Sequence, residues 1–215
     1  MGRPPKFSRE SLQAVALALI DKQGLAGLSM RALASELGTG PMTLYNHVAH
    51  REDLEVLVVE AVLASAKWKR VEREQWQDEV RDIAIAMWRA VRAHPAVIPL
   101  IATRRSRSPA VLEVSEAMLA ALARSGRSGR RLLVAFRAVT AIVMGFAQVE
   151  LAGPLAAQAG EPATEVIARM SALPKSRFPR LVQIAKAAVT SKAETEFRSG
   201  LDLLLAGLAA DSARG

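Results

Sequence analysis

The chain contains no cysteine in its 215 residues, which excludes disulfides, thiolate metal sites and cysteine nucleophiles. That usage fits a reducing compartment, so a cytoplasmic location is expected. Histidine is scarce: His47, His50 and His94 are the three present. None pairs with a second histidine or a glutamate at metal-ligand spacing, so neither a metal nor a cofactor is expected. GxSxG, a phosphate loop and GxGxxG are all missing, and no serine sits in a recognisable triad context. An enzyme is therefore not expected. Period-two alternation is missing too, as is any 20–50-residue repeat, which points to an all-α protein. Met1–Phe7 has no apolar core, so no signal peptide is expected.

Long hydrophobic runs are few. Ala138–Gly160 is apolar apart from Thr140, Gln148, Glu150 and Gln158. Glu150 would cost roughly 3 kcal/mol in lipid, and Pro154 interrupts the helix beyond it. The segment reads as a helix of a protein core or subunit interface rather than a membrane span. Glu150 is the one odd carboxylate there; a cation such as Arg104 or a ligand's polar group would satisfy it.

What the sequence does have is apolar residues and positive charge. Half of it is hydrophobic (51%), enough for a sizeable core, and the formal net charge is +8. Such a balance favours a polyanionic partner. Residues 1–50 carry five Lys/Arg against three Asp/Glu, a mild excess, so specific contacts must matter beside bulk charge.

The most informative stretch is LSMRALASELGTGPMTLYNHVAHR, Leu28 to Arg51. Ser29 offers a side-chain oxygen to cap a helix. Leu28, Met30, Leu33, Ala34 and Leu37 supply apolar positions at helical spacing. Gly38 stands where a left-handed stop is wanted, and Thr39-Gly40-Pro41 turns the chain. The spacing predicts a second helix over Met42–Val48, with Leu44 and Val48 packed inward. Thr43, Tyr45, Asn46 and His47 then lie off the packed face. A short helix with that polar edge suits a DNA groove; a plain helical corner with solvated polar residues is the other reading. Before it, MGRPPKF is a basic arm whose Arg3 and Lys6 could reach phosphates.

The rest of the chain reads as successive helices. One begins at Ser8 and ends at Gly24 and Gly27, with Leu12, Val15, Ala16, Leu19 and Ile20 as its stripe. After Arg51, Leu54, Leu57, Val58, Ala61 and Val62 face inward, while Glu52, Asp53 and Glu60 are expected toward water or the helix dipole. A mixed-charge patch, Lys67 to Glu74, marks a boundary. Trp76–Ala93, Pro109–Ala123, Arg130–Leu151, Val166–Leu173 and Ala193–Ala209 complete the series of helices. Between them Thr103–Pro109 reads as a basic loop, and Pro174 and Pro179 frame another. Small residues (Ala138, Ala141, Gly145, Ala147; Gly200, Ala206, Gly207) dot two of the later helices, which could let them approach closely in a four-helix dimer interface or in a core. The expected domains are 1–52, a helix-turn-helix head; 53–72, a connecting helix; and 73–215, a helical effector-binding and dimerisation domain.

The motifs GLSMRALASELG, TLYNHV and REDL resemble the DNA-binding head of the TetR family of bacterial transcription regulators. Trp76-Gln77-Asp78, His94, Thr103-Arg104, FPRL and EFRSGLDLLLAGL resemble the regulatory domain of its tetracycline-repressor subgroup. The resemblance implies a homodimer on a palindromic double-stranded DNA operator, released by a small-molecule effector, with no membrane partner. It places Arg31, Thr43, Tyr45, Asn46, His47 and Arg51 at DNA; on the chemistry of the residues themselves Met42 could touch a thymine methyl, and Thr39 is a further expected DNA contact. Asn46 stands where many relatives carry an aromatic residue. Tetracycline-binding relatives place a drug-binding Asn and a metal-ligand His at positions matching Ile83 and Leu100. Aliphatic side chains do neither job, so a largely apolar effector is expected. Its lining would be Ile83, Met87, Trp88, Leu100, Thr103, Met118, Phe136, Thr140 and Met144. An effector-independent DNA-binding activator and a helical ligand carrier are the alternatives.

Overall fold

Ser8 opens the first helix by accepting the Ser11 backbone N–H on its hydroxyl at 3.2 Å, and from there helices succeed one another through the described residues. The computed structural model describes residues 7–45, 47–66, 68–104, 108–152, 155 and 161–212, with backbone alone at 149–152 and 212. Asn46, Arg3, Lys6 and the Glu150 side chain thus lie outside the described residues. In order, the helices are α1 (Arg9–Gly27), α2 (Met30–Glu36), α3 (Pro41–Leu44), α4 (Arg51–Ser65), α5 (Trp76–Ala93), α6 (Ile98–Arg104), α7 (Pro109–Ala123), α8 (Gly129–Ala152), α9 (Ala163–Ser171), α10 (Pro179–Ala188) and α11 (Ala193–Ser212). A 3-10 turn, Pro95–Val97, precedes α6. No β-strand occurs among the described residues. The fold is all-α.

Contacts group the chain into two compact units, each made of two stretches: Met1–Arg73 with Arg89–Ala120, and Glu74–Trp88 with Ala121–Gly215. In the first unit, Leu12, Ala16, Leu19 and Ile20 of α1 join Leu33, Leu44, Val48, Leu54, Val58 and Val62 in one apolar cluster. Val97 and Leu100 extend it. α4 departs from the amphipathic expectation. Glu60 does not face water: it is 7% exposed, and its carboxylate accepts from Arg9 Nη2 at 2.7 Å and Gln13 Nε2 at 2.9 Å. A buried carboxylate is tolerable only with such partners. Thr103 and Arg104, expected in a loop, complete α6 instead.

The second unit has an aromatic centre. Trp88 and Phe197 stack with ring centroids 4.8 Å apart and planes 5° apart. Phe146 meets Phe197 edge-on at 5.7 Å. Val80, Ile83, Ala135, Val139, Leu201 and Leu205 are buried in the same unit. α8 packs on α11, and Arg127, 5% exposed, locks the pairing by donating to the Leu208 carbonyl and to Asp211 Oδ2. Among the described residues, Gly129–Gln148 is long and apolar enough, by length and composition only, to cross a membrane. α9 packs against α10, a helix that the sequence pattern does not announce.

Candidate nucleic-acid interface

The turn that presents the polar edge is set by caps at both ends. Ser29 Oγ accepts the Ala32 N–H at 3.1 Å and starts α2. Gly38 takes φ +60°, the left-handed conformation that ends it. Pro41 then stands in the first turn of α3, where its missing N–H costs nothing. α3 is shorter than the expected Met42–Val48: it closes at Leu44. Beyond it the His47 N–H donates to the Leu44 carbonyl at 2.8 Å and the Val48 N–H to the same oxygen at 2.9 Å. His50 is extended (φ −135°, ψ 164°) and its N–H donates to Asp53 Oδ2 at 3.0 Å, which caps the start of α4.

Leu44 and Val48 are nonetheless the buried anchors expected of them, 0% and 2% exposed. Held by them, Met42 stands 78% exposed and Tyr45 49% exposed. Thr43 and Thr39 are half-buried, Arg31 is exposed, and Arg51 is exposed at the start of α4. His47 is half-buried, its ring 6.3 Å from that of Phe7 in an edge contact at 63°. Hydroxyl, phenol, thioether, imidazole and guanidinium groups thus converge on one short segment and its flanks. Such a set can position on phosphates and reach base edges.

Phe7 and Glu55 are participants that the sequence reading missed. Phe7 precedes the N-cap Ser8, the position of a hydrophobic staple, and that pattern was visible. Glu55 is four residues from Arg51, the spacing of a helical ion pair; its carboxylate receives Arg51 Nε at 3.2 Å and Arg104 Nε at 2.7 Å. Arg104, considered for Glu150, is engaged here.

The residues expected around an effector fall into two sets. Ile83, Met87 and Trp88 lie buried on α5, and Phe136, Thr140 and Met144 lie half-buried along one face of α8, all in the second unit. Leu100 and Met118 are buried in the first unit, and Thr103 is exposed there. The Thr140 hydroxyl donates to the Phe136 carbonyl at 2.8 Å and that of Thr103 to the Pro99 carbonyl at 2.9 Å, so both are satisfied within their own helices. Among the described residues no three His, Cys, Asp or Glu side chains gather as a metal site would need.

Residues 12–54 match the family described as bacterial regulatory proteins, tetR family, and residues 70–212 match the tetracyclin repressor-like C-terminal domain. The chain belongs to the TetR family. An HTH-type transcriptional regulator of Saccharopolyspora erythraea is 30% identical to this TetR-family chain over 146 residues, 68% of the chain and 62% of the relative. The chain therefore spans less than two thirds of that regulator's length. The class D tetracycline repressor protein of Escherichia coli is 29% identical over 206 residues, 94% of the chain and 89% of the relative. Apo ActR from Streptomyces coelicolor superimposes with a TM-score of 0.78 at 27% identity, covering 99% of both chains; ActR has also been solved in complex with actinorhodin. Members of the TetR family are DNA-binding regulators with ligand-binding C-terminal domains.

Proposed function

We propose that this TetR-family chain is a sequence-specific transcriptional repressor, a cytoplasmic homodimer and not an enzyme. A small, largely apolar effector releases it from a palindromic operator. The observation that carries the reading is Tyr45, half exposed beside the outstanding Met42 on a segment pinned by buried Leu44 and Val48. Tyr45, His47 and Arg51 position the head on phosphates; Arg31, Thr43 and Asn46 read base edges, Met42 meets a thymine methyl, and Thr39 is a further DNA contact. Residues 1–52 form the head, 53–72 connect it, and 73–215 bind effector and partner.

Dimerisation through α8 and α11 is supported by the exposure of Leu203 (77%) and Val134 (58%) on that helix pair. A dimer would present its two reading segments about 34–36 Å apart, or a multiple of a turn, to neighbouring half-sites. An effector must prefer the released arrangement by about 3–5 kcal/mol to act as a switch. Buried Ile83, Met87 and Trp88, with half-buried Phe136, Thr140 and Met144, all in the second unit, are the side chains proposed to meet it, methionines lending adaptability. The ActR complex with actinorhodin is a structural relative with a small molecule bound.

The test is a band shift with a duplex selected by the protein from a random-sequence library. Tyr45→Ala with His47→Ala should abolish the shift while sedimentation still reports a dimer. Binding that survives the pair of substitutions removes the site assignment.

A further inference from the structure

Glu55 lies 8% exposed on a helix face that also buries Leu54, Val58, Val59 and Val62. Among the described residues two guanidiniums reach it. Arg51 Nε approaches Oε1 at 3.2 Å from one turn earlier on α4, and Arg104 Nε approaches Oε2 at 2.7 Å from the last residue of α6. The two cations are not equivalent. The Arg51 side chain is 58% exposed and makes the longer contact; that of Arg104 is 31% exposed and makes the shorter one. A carboxylate this buried demands a cation, and removing its partner is costly. With two cations sharing it, one can leave without stranding the charge.

The more exposed of the two is Arg51, the proposed phosphate contact. A DNA phosphate and Glu55 therefore compete for the same guanidinium. We propose that Arg104 is a positioning residue for DNA binding: by neutralising Glu55 it leaves Arg51 available to the phosphate backbone. Arg104 itself touches no DNA in this scheme. Without it, Glu55 draws Arg51 inward and the head loses a phosphate contact. The inference rests on the DNA-binding reading and adds to it a residue forty-nine positions from Glu55 in the chain.

Counterion release makes the loss readable, because each phosphate contact adds about 0.9 to the slope of log K against log salt. The experiment is anisotropy of the full-length dimer on a duplex it has selected from a random library, between about 50 and 200 mM salt. Arg104→Gln should flatten the slope by about one per protomer, losing about tenfold less affinity over that range than the wild type. Arg51→Gln should flatten it equally, and Arg51→Gln with Arg104→Gln no further. Arg104→Lys, which keeps the charge, should hold the wild-type slope. Glu55→Gln with Arg104→Gln removes carboxylate and cation together and should also hold it, which keeps the test sound if Arg104→Gln folds poorly. An unchanged slope in Arg104→Gln, an additive flattening in the double arginine variant, or a flattened slope in the Glu55→Gln pair overturns the inference alone. A selection that enriches no sequence overturns the DNA-binding reading and the inference with it.

Discussion

Gly200 lies against the ring of Phe146 with no room for a methyl group: a Cβ at that position would stand 2.8 Å from Cζ and 3.0 Å from Cε2. The ring is half-buried and would have to shift against its neighbours. It meets Phe197 edge-on, and Phe197 is 0% exposed and stacked on Trp88. One of the small residues scattered along α8 and α11 is thus a close-approach position inside a single protomer. Gly207, by contrast, would place a Cβ with nothing within 4 Å.

Gly200→Ala should therefore destabilise the protein. Overpacking costs about 1–3 kcal/mol, and the gain in helix propensity returns only up to about 1 kcal/mol. Urea denaturation should show a lower midpoint for Gly200→Ala at unchanged slope. A midpoint at or above that of the wild type would mean the aromatic cluster yields more easily than its stacking implies.

Leu203 supplies a test of the proposed dimer. It is 77% exposed, so Leu203→Glu removes little packing within the protomer. Sedimentation velocity should find the wild type dimeric and the variant monomeric, with far-UV circular dichroism unchanged. A variant that stays dimeric places the interface elsewhere.

Asp211 gives a pH dependence with a defined sign. Hydrogen bonds from Arg127 and then Arg131 hold its carboxyl below the usual carboxylate range. A depressed folded-state pKa contributes stability above the unfolded value, near 3.9, that is lost as the pH falls through the folded value. Asp211→Asn should melt below the wild type at neutral pH, and the two melting temperatures should converge as the pH falls below about 4. A gap that persists in acid would assign the effect to packing.

Ile83 and Leu100 bear on effector class. Both are buried aliphatic side chains, 0% and 7% exposed, able neither to coordinate magnesium nor to hydrogen-bond a polar drug. Calorimetric titration with a magnesium–tetracycline complex should give no binding. Tight binding that also releases operator DNA would refute the apolar-effector reading.

Much of the fold is legible in the sequence where punctuation is strong. Trp76–Ala93 ends at His94-Pro95 and Pro109 opens the next long helix, and both helices occupy the residues expected. Ser29 and Gly38 likewise cap and stop α2 as their chemistry demands. Pro179 misleads: expected to frame a loop, it opens α10 from the first turn, where proline is tolerated. The polar edge around Tyr45 is legible from Leu44 and Val48, but the length of α3 is not: the spacing runs on to Val48 while the helix closes at Leu44. Burial of Glu60 is invisible to periodicity, since Arg9 is fifty-one residues away.

That last carboxylate has a consequence for how α1 docks. Apolar stripes of leucine, alanine and valine fit one another in several rotational settings, and a turn of 100° about the helix axis trades one aliphatic neighbour for the next. Glu60 removes that latitude, because one angular setting delivers both the Arg9 guanidinium and the Gln13 amide to the same oxygen. It serves as an index mark, penalising every misaligned seating of the first helix on the fourth.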